Sequence, residues 1–136
     1  MRKSEDLPGA AEAVLERFAQ RVAARDVPEP VLMTPAAVQQ RLGEALAAQL
    51  GSRDPRRQQT LGRLLYALMA EPWLTNAQLA AAMGRSVAGA QRVADELARA
   101  GLVEVRYVAA RRRRVRQQRL SRAGEDWVLP RAQGVG

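Results

Sequence analysis

The chain has 136 residues and a formal net charge of +8, with arginine supplying almost all of the cations and with no histidine or cysteine. The missing cysteines exclude disulfides and thiol-based zinc or redox sites, and the missing histidines remove the commonest general base. Since no metal-ligand cluster or phosphate-binding glycine loop appears either, we expect no enzyme, no metal site and no cofactor.

The first fifty residues predict two amphipathic helices and contain no chemical motif. The first helix begins near Pro8 and ends by Asp26, and we expect its apolar stripe to face a core. That stripe consists of Ala11, Val14, Phe18 and Val22. The second helix begins at Thr34-Pro35, a capping residue followed by proline in the first turn, and Gly51 ends it. Its stripe consists of Val38, Leu42, Leu46 and Leu50.

These N-terminal helices are where we place contacts with other chains. We assign residues 1–52 to a helical extension and expect a homodimer through it. In that dimer, apolar side chains of two subunits would pack against each other, namely Val14, Phe18, Val38 and Leu42. Binding of a different protein by residues 8–50 is one alternative, and support of the chain's own domain is another.

Two short helices separated by a tight turn are predicted over LTNAQLAAAMGRSVAGAQRVADELARAG. Thr75 and Gln78 have the spacing of a capping box at the first helix, and Gly84 suits its left-handed end. Ser86 caps the second helix, and Gly101 ends it. The apolar face of this second helix consists of Val87, Ala90, Val93 and Leu97. These features predict a helix-turn-helix.

The sequence that follows, LVEVRYVAARRRRVRQQRLS, predicts a strand, a tip formed by Arg111–Arg114 and a second strand. A helix-turn-helix followed by a basic hairpin is a winged helix. We expect a third helix, starting at Asp54-Pro55, to pack beneath it. We also expect a short last helix, capped by Ser121, in which Trp127 and Val128 fold back on the core.

The predicted fold class is therefore mainly α with a small β-hairpin, a winged helix-turn-helix domain preceded by two N-terminal helices. We assign residues 53–130 to this winged helix-turn-helix domain. Residues 131–136 are expected to form a disordered tail.

At these residues the chain resembles the winged-helix domain of the MarR family of bacterial transcriptional regulators. The matching pieces are LTNAQLAAAMG, SVAGAQRVADELARAGLVEVR, the basic turn and RLSRAGE, within about residues 60–128. The resemblance implies a dimeric regulator that binds double-stranded DNA. MarR-type proteins often bind small ligands, but no motif here identifies such a pocket, and we expect none.

The positive charge is concentrated in the second part of the chain. The first 50 residues hold six basic and seven acidic side chains, whereas the rest hold 16 basic and seven acidic ones. This asymmetry favours a polyanionic partner. No apolar run is long enough to cross a bilayer, and the N-terminus lacks the apolar stretch of a signal peptide. We expect a cytoplasmic protein with no membrane partner.

The candidate DNA contacts lie on the second helix of the helix-turn-helix and on the wing. Arg92 suits a guanine and Gln91 an adenine edge, while Gly89 is expected to be exposed and to let the backbone approach DNA closely. The full set on and beside the helix is Arg85, Ser86, Ala88, Gly89, Gln91, Arg92 and Arg99. The set on the wing is Arg111, Arg112, Arg113, Arg114 and Arg116.

Crowding of arginine is the strongest electrostatic signal. Between Gly101 and Arg122 one acid, Glu104, faces eight arginines, at 106, 111, 112, 113, 114, 116, 119 and 122. We expect this cluster to serve a polyanion rather than folding, with Arg111–Arg114 on phosphates or in the flanking minor groove. Two alternatives remain: a winged-helix component of a plasmid or phage replication, partition or conjugation complex, and an RNA-binding protein.

Overall fold

The computed structural model describes residues 10–25 and 33–134, and the chain divides into two compact units, Met1–Pro30 and Val31–Gly136. In chain order the elements are α1 (Ala10–Arg25), α2 (Pro35–Gln49), α3 (Pro55–Ala70), β1 (Leu74–Thr75), α4 (Asn76–Met83), α5 (Val87–Arg99), β2 (Val103–Ala110), β3 (Arg113–Leu120) and α6 (Arg122–Ala132). This order of helices around a small antiparallel sheet confirms the predicted fold class. In these described ranges, no helix combines the length and the apolar character that crossing a bilayer requires.

Helix α1 belongs to the N-terminal unit and carries the predicted apolar stripe. Val14 and Phe18 are each more than half exposed, and Val22 is also exposed. The expectation that this stripe faces a core is therefore wrong for this unit. The start of the helix near Pro8 lies outside the described residues, as does the segment that follows Arg25.

Helices α2 and α3 are capped as predicted, and their backbones approach each other closely. The Thr34 hydroxyl accepts a hydrogen bond from the Ala37 amide at 3.3 Å, and proline occupies the first turn of both helices. A Cβ added to Gly43 would lie 1.9 Å from the Gln58 carbonyl oxygen. Because no side chain fits there, glycine is what allows the two helices to approach so closely.

This packing places α2 in the core of the winged helix. Val38 and Leu42 of α2 are buried in the same cluster as the leucines of α3. The prediction that these two side chains meet a second subunit is therefore wrong, because their own chain already covers them. Residues 31–52 lie in the same compact unit as the winged helix rather than in a separate extension.

The largest side chains of the core are the long aliphatic ones of α2, α3, α4 and α5, and α6 adds Val128 and Ala132. The core's largest fully buried apolar side chains are Leu42, Leu46, Leu61, Leu64, Leu65, Leu79, Met83 and Leu97. On α5 the apolar side chains that enter the core begin at Ala90, since Val87 is 49% exposed. The predicted stripe of α5 is thus one turn too long, and the first turn of this helix stands clear of the core.

The sheet has the strand order β1-β3-β2 and is antiparallel throughout. Its hairpin runs in register from Val103 opposite Leu120 to Ala110 opposite Arg113. The loop is therefore two residues, Arg111 and Arg112, rather than the predicted tip of four arginines. Strand β1 was not predicted from the sequence, because it has only two residues and pairs with a strand far along the chain.

Helix α6 folds back as predicted but extends further. Val128 is buried, and the Trp127 indole N–H donates to Gln49 Oε1 at 2.7 Å. The helix continues through Pro130 to Ala132, whose carbonyl accepts from Arg41 at 2.7 Å. The prediction of a disordered tail is therefore wrong for residues 131–134, and residues 135–136 lie outside the described ranges. An open groove that no sequence motif indicated lies between α3 and α6, lined in part by Leu68, Met69, Val128 and Leu129.

Candidate nucleic-acid interface

The turn between α4 and α5 is fixed by local hydrogen bonds, as the sequence predicted. Thr75 Oγ1 accepts from the Gln78 amide at 3.2 Å, and Gln78 Oε1 accepts from the Thr75 amide at 2.8 Å. Gly84 has φ +66°, in the left-handed region, and Ser86 Oγ accepts from the Gly89 amide at 3.1 Å. These contacts set the direction in which α5 leaves the turn.

The polar face of α5 is exposed. Ser86, Ala88, Gln91 and Arg92 all face solvent, and Arg85 precedes them at the turn. Arg99 is also exposed and lies two helical turns beyond Arg92, about 10 Å further along the same face. Within the described ranges, neither arginine makes a hydrogen bond or an ion pair. The helix thus presents two unpaired guanidinium groups on one side.

Gly89 differs from the expectation. It is buried rather than exposed, and a Cβ added to it would lie 3.1 Å from Ser86 Oγ and 3.6 Å from Arg85 Nε. Its lack of a side chain leaves room for the Ser86 cap and for the Arg85 side chain that covers it. The expectation that Gly89 is exposed is therefore wrong, and direct approach of its backbone to DNA loses its support.

A further cation at this turn was not among the predicted contacts. A Cβ added to Gly84 would lie 3.2 Å from Nη1 of Arg63, so this guanidinium of α3 reaches the turn. The sequence shows that Arg63 lies on the polar side of α3. It does not show that this point of the helix is adjacent to the turn, because that depends on how α3 packs against α4.

The wing carries its charges around the hairpin turn. Arg111, Arg112 and Arg113 are exposed, and none of them has a hydrogen-bond or ion-pair partner in the part of the chain that the structure describes. Arg114 is also exposed, and its guanidinium lies 5.4 Å from the centre of the Tyr107 ring. The tip therefore carries four exposed cations.

Arg116 has a different environment from the other predicted contacts. Its Nη2 lies 2.5 Å from Asp95 Oδ1 on α5, and its Nε donates to Gln118 Oε1 at 2.8 Å. Gln118 is fully buried and donates to the Leu74 carbonyl at 2.7 Å. The side chain of Arg116 is only 14% exposed, so it ties the wing to α5 and β1 instead of facing outward.

The base of the wing uses two more arginines. The guanidinium groups of Arg106 and Arg119 lie 4.0 and 4.5 Å from the centre of the Trp73 ring, which is within cation–π range. Arg119 also pairs with Glu104, and Arg106 Nε donates to Gln117 Oε1 at 2.8 Å. The expectation that the arginine cluster serves only a polyanion is therefore wrong, because these side chains, like Arg116, stabilise the fold.

Sequence reasoning could not find these partners. Asp95 and Arg116 lie 21 positions apart, in a helix and in a strand, and no local spacing rule relates them. Elsewhere, Arg57 of α3 pairs with Glu96 of α5. In the ranges 10–25 and 33–134, no group of acidic side chains is arranged to hold a metal ion.

Comparison with solved structures places this geometry in a known fold. The chain is similar to the crystal structure of a MarR family transcriptional regulator from Silicibacter pomeroyi DSS, with 24% identity and a TM-score of 0.50, over 90% of this chain and 69% of that one. It is also similar to a MarR family protein from Bacillus stearothermophilus, with 22% identity and a TM-score of 0.46, over 94% and 78% of the two chains. No protein-family model and no curated protein matches the sequence. The first likeness confirms the MarR-like winged-helix fold that the motifs predicted.

Proposed function

We propose that the protein binds double-stranded DNA in a sequence-specific manner and acts as a transcriptional regulator. The observation that carries this proposal is the position of the unpaired arginines. The exposed face of α5 and the tip of the wing hold cations with no carboxylate partner in the described ranges, whereas Arg116 and Arg119 are paired. Unpaired guanidinium groups on two adjacent protrusions suit the phosphates that border a DNA groove.

In this proposal α5 enters the major groove, which admits one helix. Arg92 and Gln91 read base edges, and Ser86 and Ala88 lie at the start of the helix, where base contacts concentrate. Arg85, Arg63 and Arg99 contact phosphates on either side. The four arginines Arg111–Arg114 reach the flanking backbone or the minor groove, which strengthens binding at every sequence.

We also propose that the protein is a homodimer through α1. The exposed stripe of α1 includes Val14 and Phe18, and an amphipathic helix is stabilised when such a face is covered. Glu12 lies in the first half of the helix and Arg21 in the second half. An antiparallel pair of helices would therefore set opposite charges against each other. A two-fold dimer predicts two half-sites about 10 bp apart.

Selection of bound sequences from random duplex DNA tests the proposal. We expect enrichment of a two-fold symmetric motif, and an affinity for the selected site that falls steeply as salt rises. The selected site, placed upstream of a reporter gene, should then make expression depend on the protein. Absence of enrichment, or equal affinity for structured RNA of the same length, would refute sequence-specific DNA binding.

A further inference from the structure

A hydrogen bond joins the first helix of the helix-turn-helix to a base-reading position on the second. Asn76 is the first residue of α4, and its Nδ2 donates to Gln91 Oε1 on α5 at 3.2 Å. The backbone at Asn76 is held by the capping box immediately before it. Gln91 is exposed, and its long side chain would otherwise sample several rotamers in water. The bond therefore fixes one orientation of the Gln91 amide.

This orientation decides which atoms of Gln91 face outward. Since the oxygen and nitrogen of an amide diverge from the same carbon, an oxygen turned toward Asn76 leaves Nε2 directed away from it. In this arrangement Asn76 uses Nδ2 for the bond to Gln91, while its Oδ1 is buried without a hydrogen bond to any described residue. The arrangement thus turns the Gln91 carbonyl toward α4 and directs its two N–H donors away from α4.

We propose that Asn76 is a positioning residue that makes Gln91 read a hydrogen-bond acceptor edge in the major groove. Guanine offers two acceptors there, N7 and O6, whereas adenine offers one acceptor beside a donor. A glutamine that presents both an acceptor and a donor pairs with adenine. One whose acceptor is engaged by Asn76 favours guanine. This inference rests on the proposed DNA-binding function and replaces the adenine contact expected from the sequence.

The test uses two substitutions of Asn76 with opposite effects on Gln91. Asn76→Ala removes the bond and frees both the acceptor and the donors of Gln91, so a guanine preference of at least about fivefold should be lost and replaced by a preference for adenine. Asn76→Asp provides only acceptors, so Gln91 must turn Nε2 toward the carboxylate and present Oε1 outward. The preference at that same base pair should then change from guanine to a base with an exposed donor, adenine or cytosine.

Base preference is measured as the ratio of affinities for sites that differ at that one base pair. The ratio cancels the uniform repulsion between the new carboxylate and the phosphates. Gln78→Ala is the matched control, because it breaks the capping box at the same helix start without contacting Gln91. We expect it to lower stability and to leave the base preference unchanged. Gln91→Ala should abolish all preference at that base pair, and adding Asn76→Ala to it should change nothing further.

The outcomes separate the inference from the function on which it rests. If the wild-type protein selects a DNA site and both Asn76 variants keep its preference, the positioning role is refuted while DNA binding stands. A change in preference caused equally by Gln78→Ala would also refute it, since general destabilisation would then explain the effect. If the wild-type protein selects no DNA site, the proposed function fails and the inference fails with it.

Discussion

Replacing Arg111 by Asn and Arg112 by Gly should stabilise the protein and weaken its binding to DNA. These two residues form the two-residue loop of the hairpin and have φ angles of +46° and +69°. Such a loop with both central residues at positive φ is normally built from Asn-Gly, because at these angles a Cβ lies too close to the following carbonyl oxygen, which glycine avoids and asparagine tolerates. The wing carries arginine at both positions instead, which costs folding energy.

The size of both effects follows from the turn. A residue other than glycine or asparagine in the left-handed region lowers the free energy of unfolding by roughly 1–2 kcal/mol. Substitution by glycine recovers only part of this loss, because glycine also has more conformational entropy in the unfolded chain. We expect a net increase of about 1–2 kcal/mol in the free energy of unfolding, or about 3–8 °C in Tm for a chain of this length. If both guanidinium groups contact phosphates, the slope of log affinity against log salt should become shallower by about 1.8 per protomer.

Thermal and urea unfolding measure the first effect, and DNA binding at four or more salt concentrations measures the second. The matched control is Arg113→Asn with Arg114→Gly, which removes the same two charges from β3, where the structure places no residue at positive φ. This control should weaken DNA binding to a similar degree without raising stability. Equal stability changes in the two variants would refute the strain argument, and an unchanged salt slope in both would refute the phosphate contacts.

Three further predictions concern the packing of α2 on α3, the DNA contacts of α5 and the wing, and the ion pair between the wing and α5. Gly43→Ala should lower the free energy of unfolding by about 3 kcal/mol in urea, because the new Cβ would collide with the backbone of α3. A change below about 0.5 kcal/mol would mean that α2 and α3 do not pack this closely. Arg92→Ala should relax base preference, whereas Arg113→Ala should weaken binding to all sequences alike; identical behaviour would refute the division between base reading and phosphate contact. Asp95→Asn should weaken binding of the selected site and leave the protein's base preference unchanged, because it removes the ion pair with Arg116 without altering the groove-facing residues of α5. Binding equal to that of the wild-type protein would show that this ion pair does not position the wing.

The features that the sequence predicted correctly are those that depend on neighbouring residues in the chain. The caps at Thr34, Thr75 and Ser86 and the left-handed Gly84 depend on residues within four positions, and the structure confirms each. The features that sequence reasoning missed depend on contacts between residues far apart in the chain. Strand β1 exists only because Leu74 meets Gln118, and no periodicity within a two-residue segment can show that pairing.

The same distinction explains the errors at the candidate site. Arginines in one run look equivalent in a sequence, and their spacing does not show which of them have acidic partners. Arg116 is held by Asp95, which lies on a different element, so only the structure shows that this side chain does not face outward with the arginines of the tip. The burial of Gly89 likewise depends on how the Arg85 side chain lies across the turn, which capping rules do not specify.

The wing is held at its base by contacts that do not involve its tip. Trp73 adopts φ +64°, an unfavourable value for a bulky residue, and its ring lies against Arg106 and Arg119. Arg116 fixes the neighbouring part of β3 to α5. Because these contacts stay in place when Arg111 and Arg112 are replaced, the charge of the tip can be changed without redirecting the hairpin. A loss of affinity in the tip variant therefore measures phosphate contact, whereas a loss in Asp95→Asn measures the placement of the wing.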